Sequence, residues 1–241
     1  LSIIAIIYGA YMALAQVDLK KLIAYSSVSH MGFVTLGLFV MNQQGIEGAV
    51  LQMVNHGITT GALFLCVGII YERTHSRLIA DNVGLAKPMP MYATLLVIFG
   101  LSSLGLPGTN SFVGEFLVLV GTFYWSKVAT AFASLGIILA ATYLLWMLQR
   151  VVFGVPDPHH LPKLRDLNQR EFATLVPLVL LIFRIGLYQN TLVSRMHQSV
   201  TNTIASMSRA KVAPTAHPSA GATAPLLADN GEQLKTQGPS R

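Results

Sequence analysis

Four ionisable side chains fall inside long apolar stretches of this sequence: His30, His56, Glu115 and Arg184. A charged group at mid-bilayer costs about 2.5–3.5 kcal/mol on insertion scales, so each must face protein or water, and each is a functional candidate. His30 lies about ten residues beyond Lys20, roughly 15 Å along a helix axis and near half the thickness of the hydrocarbon core. Ser26 and Ser27 precede it by four and three residues, share its helix face, and can hold an imidazole nitrogen or a water. His56 repeats the stripe, with Gln52 four residues before it and Thr59 and Thr60 three and four after. Glu115 follows the Pro107-Gly108 pair and has Ser111 one turn before it. A carboxyl beside an unwound helix is neutral when dry and ionised when water or a cation approaches.

Imidazole titrates close to physiological pH, so histidine and carboxyl together suit a proton relay. Ordered water is expected to bridge side chains carried on separate helices. Each residue has a plainer alternative. The histidines can be neutral rings that bond neighbouring helices, and Glu115 can be a permanently protonated acid that donates a hydrogen bond. Metal chemistry is not expected, because His30, His56 and Glu115 lack the i, i+4 pairing of a zinc motif. Cys66 stands alone in an apolar run, which excludes a disulfide framework within the chain. No nucleophile elbow, phosphate loop or dinucleotide fingerprint occurs.

The elements that position these groups follow from composition. The 241 residues are 53% hydrophobic and only 11% charged, with mean hydropathy +0.57. Apolar runs of about twenty residues place the chain in a bilayer, where backbone polar groups must be satisfied within helices or closed barrels. That excludes a one-domain soluble enzyme. The pattern predicts an all-α, polytopic transmembrane bundle over 1–206, with about six spans at 1–17, 19–40, 46–71, 91–125, 128–153 and 171–188. Asp18 is placed to cap the second. The fourth run is too long for one upright crossing and is interrupted at 106–110. Proline lacks an amide donor and glycine adds backbone freedom, so this segment reads as a broken helix, with a simple proline kink as the alternative. Beyond 206 the composition turns to Ala, Pro, Ser, Thr, Gly and Gln, and 207–241 is expected to be a disordered tail. The chain opens on Leu1 with no basic leader or cleavage site, so it is expected to begin inside a longer protein and to carry no signal peptide.

The net charge of +6 and pI near 9.6 would suggest a polyanion partner in a soluble protein. Here topology accounts for them. Lys20, Lys21, Arg73, Arg77, Lys87, Arg150, Lys163, Arg165 and Arg170 fall in one set of alternate loops, while the other side holds Lys127 and Arg195. The basic set is expected on the cytoplasmic side. No nucleic-acid partner is expected, since basic and stacking aromatic residues do not interleave. The adjacent His159 and His160, in a loop with Pro156, Pro158 and Pro162, read as solvated.

Four motifs in order, VDLKKLIAYSSVSHMG at 17–32, QMVNHG at 52–57, YERTH at 71–75 and LPGTNSFVGEF at 106–116, resemble the antiporter-like membrane subunits of respiratory complex I. The match is to the subunit M type, which corresponds to mitochondrial NADH dehydrogenase subunit 4, and it covers about residues 1–200. The resemblance implies the C-terminal part of a fourteen-helix fold made of two inverted five-helix repeats, with this chain holding helices nine to fourteen and the broken helix as the twelfth. It implies a proton-translocating subunit of NADH:quinone oxidoreductase, with His30 on the central relay helix, His56 on the next and Glu115 as the terminal relay acid. Ser26, Ser27, Pro107, Gly108 and Ser111 would support them.

Redox chemistry would occur on other subunits, which carry NADH, FMN, iron-sulfur clusters and quinone, and no cofactor would bind here. The implied partners are other complex I membrane subunits, chiefly neighbouring antiporter-like ones, and the lipid of a bacterial cytoplasmic (inner) membrane. Related subunits commonly carry lysine where Glu115 stands, so glutamate favours the M type. The family's entry-side glutamate and two buried lysines would lie on helices before residue 1. Arg184 stands where the family usually has an apolar residue or tryptophan, Gln189 replaces an expected proline, and Lys20 and Lys21 read as positive-inside residues. Two other readings remain: a subunit of a multi-component cation/proton antiporter, and a truncated, non-conducting structural subunit. A ferredoxin-fed complex or a membrane-bound hydrogenase would share these motifs.

Overall fold

The computed structural model describes residues 1–155 and 164–212, with side chains described to residue 207. Every described element with regular structure is helical: α1 (Ser2–Leu14), α2 (Leu19–Phe39), α3 (Gln43–Thr74), α4 (Pro90–Ser103), α5 (Asn110–Trp125), α6 (Lys127–Val151), α7 (Gln169–Leu187) and α8 (Asn190–Val212). Helices α2, α3 and α6 are long and apolar enough to cross a membrane alone. α7 and α8 meet that test together but are bent by 65° at their junction, and α1 and α4 are shorter apolar helices.

Local chemistry sets the helix ends. Asp18 caps α2 as expected, its Oδ1 accepting from Lys20 N at 2.8 Å and Lys21 N at 3.2 Å. Asn42 Oδ1 accepts from Gly45 N at the start of α3, and Pro90 opens α4, where its missing N–H costs nothing. Glu171 Oε2 accepts from Asn168 N at the start of α7. α8 has no counterpart among the expected spans. It continues through residue 212, past the point where composition marks a tail, while 213–241 lie outside the described residues. The loop carrying His159 and His160 also lies outside them.

The basic residues gather at one end. Leu19 N donates to Arg77 O at 2.9 Å, Arg77 Nε lies 3.7 Å from Asp18 Oδ2, and Gly84 N donates to Arg150 O. Arg73 donates to Arg165 O and holds both oxygens of Glu171, docking α7 on α3. At the other end Asn42 Nδ2 donates to Gly121 O, and α8 packs across the first turns of α3.

Among the described residues, three apolar clusters fill the bundle: a small one of Leu51, Val113 and Ile185 joins α3, α5 and α7, and two larger ones lie at different levels. Leu22, Ile23, Leu63, Ile70, Phe99 and Leu144 belong to the one nearer the basic end. Ile6, Phe33, Leu36, Ala49, Val118 and Ala133 belong to the other. Between them along α2 and α3 lies a buried polar layer that includes Ser26, Ser29, His30, Gln52, Asn55, Thr59 and Thr60. The layer is therefore at mid-depth, enclosed above and below by apolar packing.

α3 and α5 approach closely through small residues, the way helices associate when lipid supplies no hydrophobic drive. A Cβ at Gly48 would stand 2.7 Å from Val118 N and 2.9 Å from Gly114 O, whereas one at Gly68 on the same helix would meet nothing within 4 Å. Gly48→Val is therefore expected to lower the stability of the assembled protein by about 1–3 kcal/mol. Gly68→Ala should be neutral, and thermal melting of purified material compares the two.

Candidate functional site

The polar layer is built around the interruption between α4 and α5. Residues 104–109 leave the helical path, with Gly105 at φ +79° and Gly108 at φ +95°, a region that favours glycine. The freed backbone is met by protein. Leu106 N donates to Leu101 O and Thr109 N to Leu106 O. A Cβ at Gly186 of α7 would run into Gly108 O, so α7 lies directly on the break. Asn110, the first residue of α5, exchanges bonds with α3: Asn55 Nδ2 donates to Asn110 O at 2.8 Å and Asn110 Nδ2 to Asn55 O at 3.3 Å. Asn110 Oδ1 accepts from Ser102 at 2.8 Å and Thr59 at 3.2 Å. A proline kink would leave one continuous helix; here six residues unwind and three helices hold the ends.

Glu115 sits just past this clasp and is 4% exposed. Its Oε1 lies 2.7 Å from His30 Nδ1 and accepts from Gln52 Nε2 at 3.0 Å. Its Oε2 faces the break, 3.5 Å from where a Cβ on Gly105 would stand. His30, 3% exposed, presents its other nitrogen, Nε2, to the Tyr143 hydroxyl of α6 at 3.3 Å. The ring thus has a carboxyl on one side and a phenol on the other, so a proton at either nitrogen finds a partner. The His56 ring lies 5.7 Å from that of His30, centroid to centroid, and bonds Thr60 Oγ1 at 3.1 Å.

The expectation of bridging water between the helices is corrected at the central contact: His30 on α2 and Glu115 on α5 touch directly, because the glycine-lined α3–α5 contact draws α5 inward. The two serines turn elsewhere. Ser26 and Ser27 both donate to Ile23 O on their own helix. Ser111 is buried beneath the start of α5, Pro107 is exposed on the break, and Gly108 supports its positive φ. Arg184 lies exposed in the last turn of α7, where a cation complements the helix C-terminus. Lys20 and Lys21 are exposed at the mouth of α2. Among the described residues, no group of three or more His, Cys, Asp or Glu is placed to hold a metal ion.

Sequence reasoning missed Tyr143 and the Asn55–Asn110 clasp. The signal for Tyr143 was a phenol in the middle of an apolar span, where a buried hydroxyl needs a partner.

The family model described as NADH:quinone oxidoreductase/Mrp antiporter, TM, matches residues 1–141. The chain belongs to that family. It is 48% identical over 204 residues to NADH-quinone oxidoreductase subunit M of Rhodobacter capsulatus, covering 85% of this chain and 40% of that protein. It is 46% identical over 202 residues to NADH-ubiquinone oxidoreductase chain 4 of Chondrus crispus, covering 84% and 41%. The chain thus spans about two fifths of the length of these curated relatives. Among solved structures, it superposes on a chain of respiratory complex I from Thermus thermophilus with bound NADH at TM-score 0.78 and 32% identity, covering 85% of this chain and 44% of that one. A chain of the Mrp complex from Dietzia sp. DQ12-45-1b gives TM-score 0.76 at 20% identity, covering 83% and 46%, and shows a shared fold. The family assignment and the apolar helices make this a membrane protein.

Removing one partner of a buried pair strands the other. His30→Leu is expected to cost about 3–5 kcal/mol of stability. The double change His30→Leu with Glu115→Leu should cost clearly less than the sum of its parts, and a thermal double-mutant cycle measures the difference.

Proposed function

We propose that this chain supplies a proton path in the membrane domain of an NADH:quinone oxidoreductase, as part of a subunit of the M type, with His30, His56 and Glu115 as the relay. The observation that carries the reading is the direct 2.7 Å contact between His30 and Glu115 at mid-depth, beside a broken helix. Over that distance a proton moves between Nδ1 and Oε1 without a carrier, and Tyr143 keeps the opposite nitrogen partnered in either state.

The spacing of the histidines supplies the drive. Two unit charges 5.7 Å apart repel by about 3 kcal/mol at an effective dielectric of about 20. Moving one proton against 100 mV costs about 2.3 kcal/mol. A proton arriving on His56 therefore favours transfer of one from His30 to Glu115. Glu115 Oε2 faces the unwound segment, so hydration of the break sets when the acid releases its proton. Ser111, Pro107 and Gly108 shape that opening.

Electron transfer takes place on partner subunits that hold NADH, FMN, iron-sulfur clusters and quinone, and reaches this chain through neighbouring antiporter-like subunits as a change of charge. The basic end faces the cytoplasm of a bacterial inner membrane. A carboxylate at position 115, where related subunits carry lysine, favours this role over a gradient-driven cation/proton antiporter.

In vesicles containing the complex, Glu115→Gln is expected to reduce NADH-driven proton movement by about a hundredfold while the complex still assembles. Glu115→Asp should retain part of the rate, and Tyr143→Phe should slow it less than Glu115→Gln. Unchanged pumping by the glutamine variant overturns the relay.

A further inference from the structure

The helix that lies on the break carries a cation on its outer face. On α7, Ala173, Pro177, Leu180, Arg184 and Leu187 are all exposed, and steps of four, three, four and three residues put them in one stripe facing away from the bundle. The buried residues Leu175, Ile182 and Ile185 hold the opposite side. Arg184 stands within the outer stripe, with Leu180 and Leu187, each 65% exposed, one turn to either side. Its guanidinium forms no ion pair or hydrogen bond among the described residues.

Two contacts fix the depth of Arg184. At the basic end Arg73 of α3 holds Glu171, thirteen residues before Arg184 and about 20 Å away along the axis of α7. Two residues beyond Arg184, a Cβ on Gly186 would run into Gly108 O and the Thr109 backbone, next to the Asn55–Asn110 clasp in the mid-depth polar layer. Arg184 therefore sits near the centre of a hydrocarbon core about 30 Å thick. Its Cβ leans towards the N-terminus of α7, which is the basic end, but snorkelling along one side chain does not cover most of about 20 Å.

α6 shows what a lipid-facing stripe is like in this bundle. Val128, Phe132, Leu135, Ile138, Thr142 and Leu145 lie exposed at helical spacing, and the Thr142 hydroxyl donates to Ile138 O on its own helix. No group in that stripe needs an outside partner. The α7 stripe has the same apolar character except for one charge.

We infer that the α7 stripe is an interface with a second membrane subunit, whose facing helix presents an aspartate or glutamate level with Arg184 and pairs with it inside the membrane. Charge complementarity selects this partner. A cation at such depth is met by an anion, and guanidinium with carboxylate forms two parallel hydrogen bonds that satisfy both groups without water. A lipid phosphate would have to descend about 15 Å from the membrane surface to do the same. Ala173, Pro177, Leu180 and Leu187 offer an apolar surface against which a partner helix packs by van der Waals contact. The inference rests on the proposed place of this chain in a multi-subunit NADH:quinone oxidoreductase and is independent of the proton relay.

The test uses the whole complex in its membrane. With Arg184 in place, benzoylphenylalanine at position 180 is expected to crosslink under light to another subunit, at a peptide with an Asp or Glu within one helical turn. Arg184→Glu should lower co-purification of that subunit by about tenfold at equal membrane levels of this chain, and Arg184→Lys should retain most of it. Lysine in place of the partner's carboxylate should restore association with Arg184→Glu. Crosslinks to lipid alone, to another segment of the same polypeptide, or to a peptide with no acid nearby would overturn the inference, and they decide the matter even where Arg184→Glu fails to accumulate. Wild-type co-purification in Arg184→Glu would overturn it equally. In each of these cases an intact complex that reduces quinone with NADH leaves the proposed function standing, whereas wild-type material free of other complex subunits would remove both.

Discussion

A carboxyl group cannot rest in hydrocarbon without partners, and satisfying Glu115 organises this bundle. Its Oε1 is held by His30 from α2 and Gln52 from α3, and His30 is held in turn by Tyr143 from α6. Four helices are therefore tied at one level, with apolar packing on both sides of it. A polar pair so enclosed gains little net energy, because desolvation offsets most of the attraction. What it confers is definition: α5 can sit at one depth and one rotation only. The glycine contacts between α3 and α5 serve the same end, because any side chain at Gly48 or Gly114 would push the acid away from its partners.

The helix break follows from the same requirement. A continuous helix would satisfy its own carbonyls and offer no route to Glu115 Oε2. The unwound residues 104–109 open that side, with Gly105 N, Leu106 N and Thr109 N donating to Ser102 O, Leu101 O and Leu106 O, while the Asn55–Asn110 clasp, with Ser102 and Thr59, holds the adjoining start of α5 and Gly186 packs against the break. Stability and access are thus divided between two faces of one short segment. The Asn clasp and α7 hold it, while Gly105 leaves room in front of the acid. The two histidines extend the arrangement sideways, near enough to feel each other's charge and with no bond between them.

Much of this was legible in the residues. Long apolar runs made α2, α3 and α6 plain, and Pro107-Gly108 marked the interruption. The rarity of ionisable side chains at depth singled out His30, His56, Glu115 and Arg184, the last of which lies instead on the exposed face of α7 in its last turn, and positive-inside counting grouped the basic loops that the structure gathers at one end. Contacts between helices were not legible. Gln52 read as part of the His56 stripe, yet its amide reaches Glu115, because the tilt of α5 against α3 depends on glycines whose packing a single sequence does not reveal. Tyr143 went unnoticed within an apolar span. α8 escaped because its apolar residues, Leu192, Val193, Met196 and Val200, recur at helical spacing among polar ones, a pattern that hydropathy over a membrane-length window averages away.

The central claim is that Glu115 gains and loses its proton inside the assembled complex. Infrared difference spectroscopy of the complex, reduced by NADH against oxidised, reads carboxyl protonation directly. A carboxylic C=O band is expected that changes on reduction, shifts in deuterated water and is absent from Glu115→Gln. An identical difference spectrum in the glutamine variant would show an acid that never titrates, and would contradict that claim.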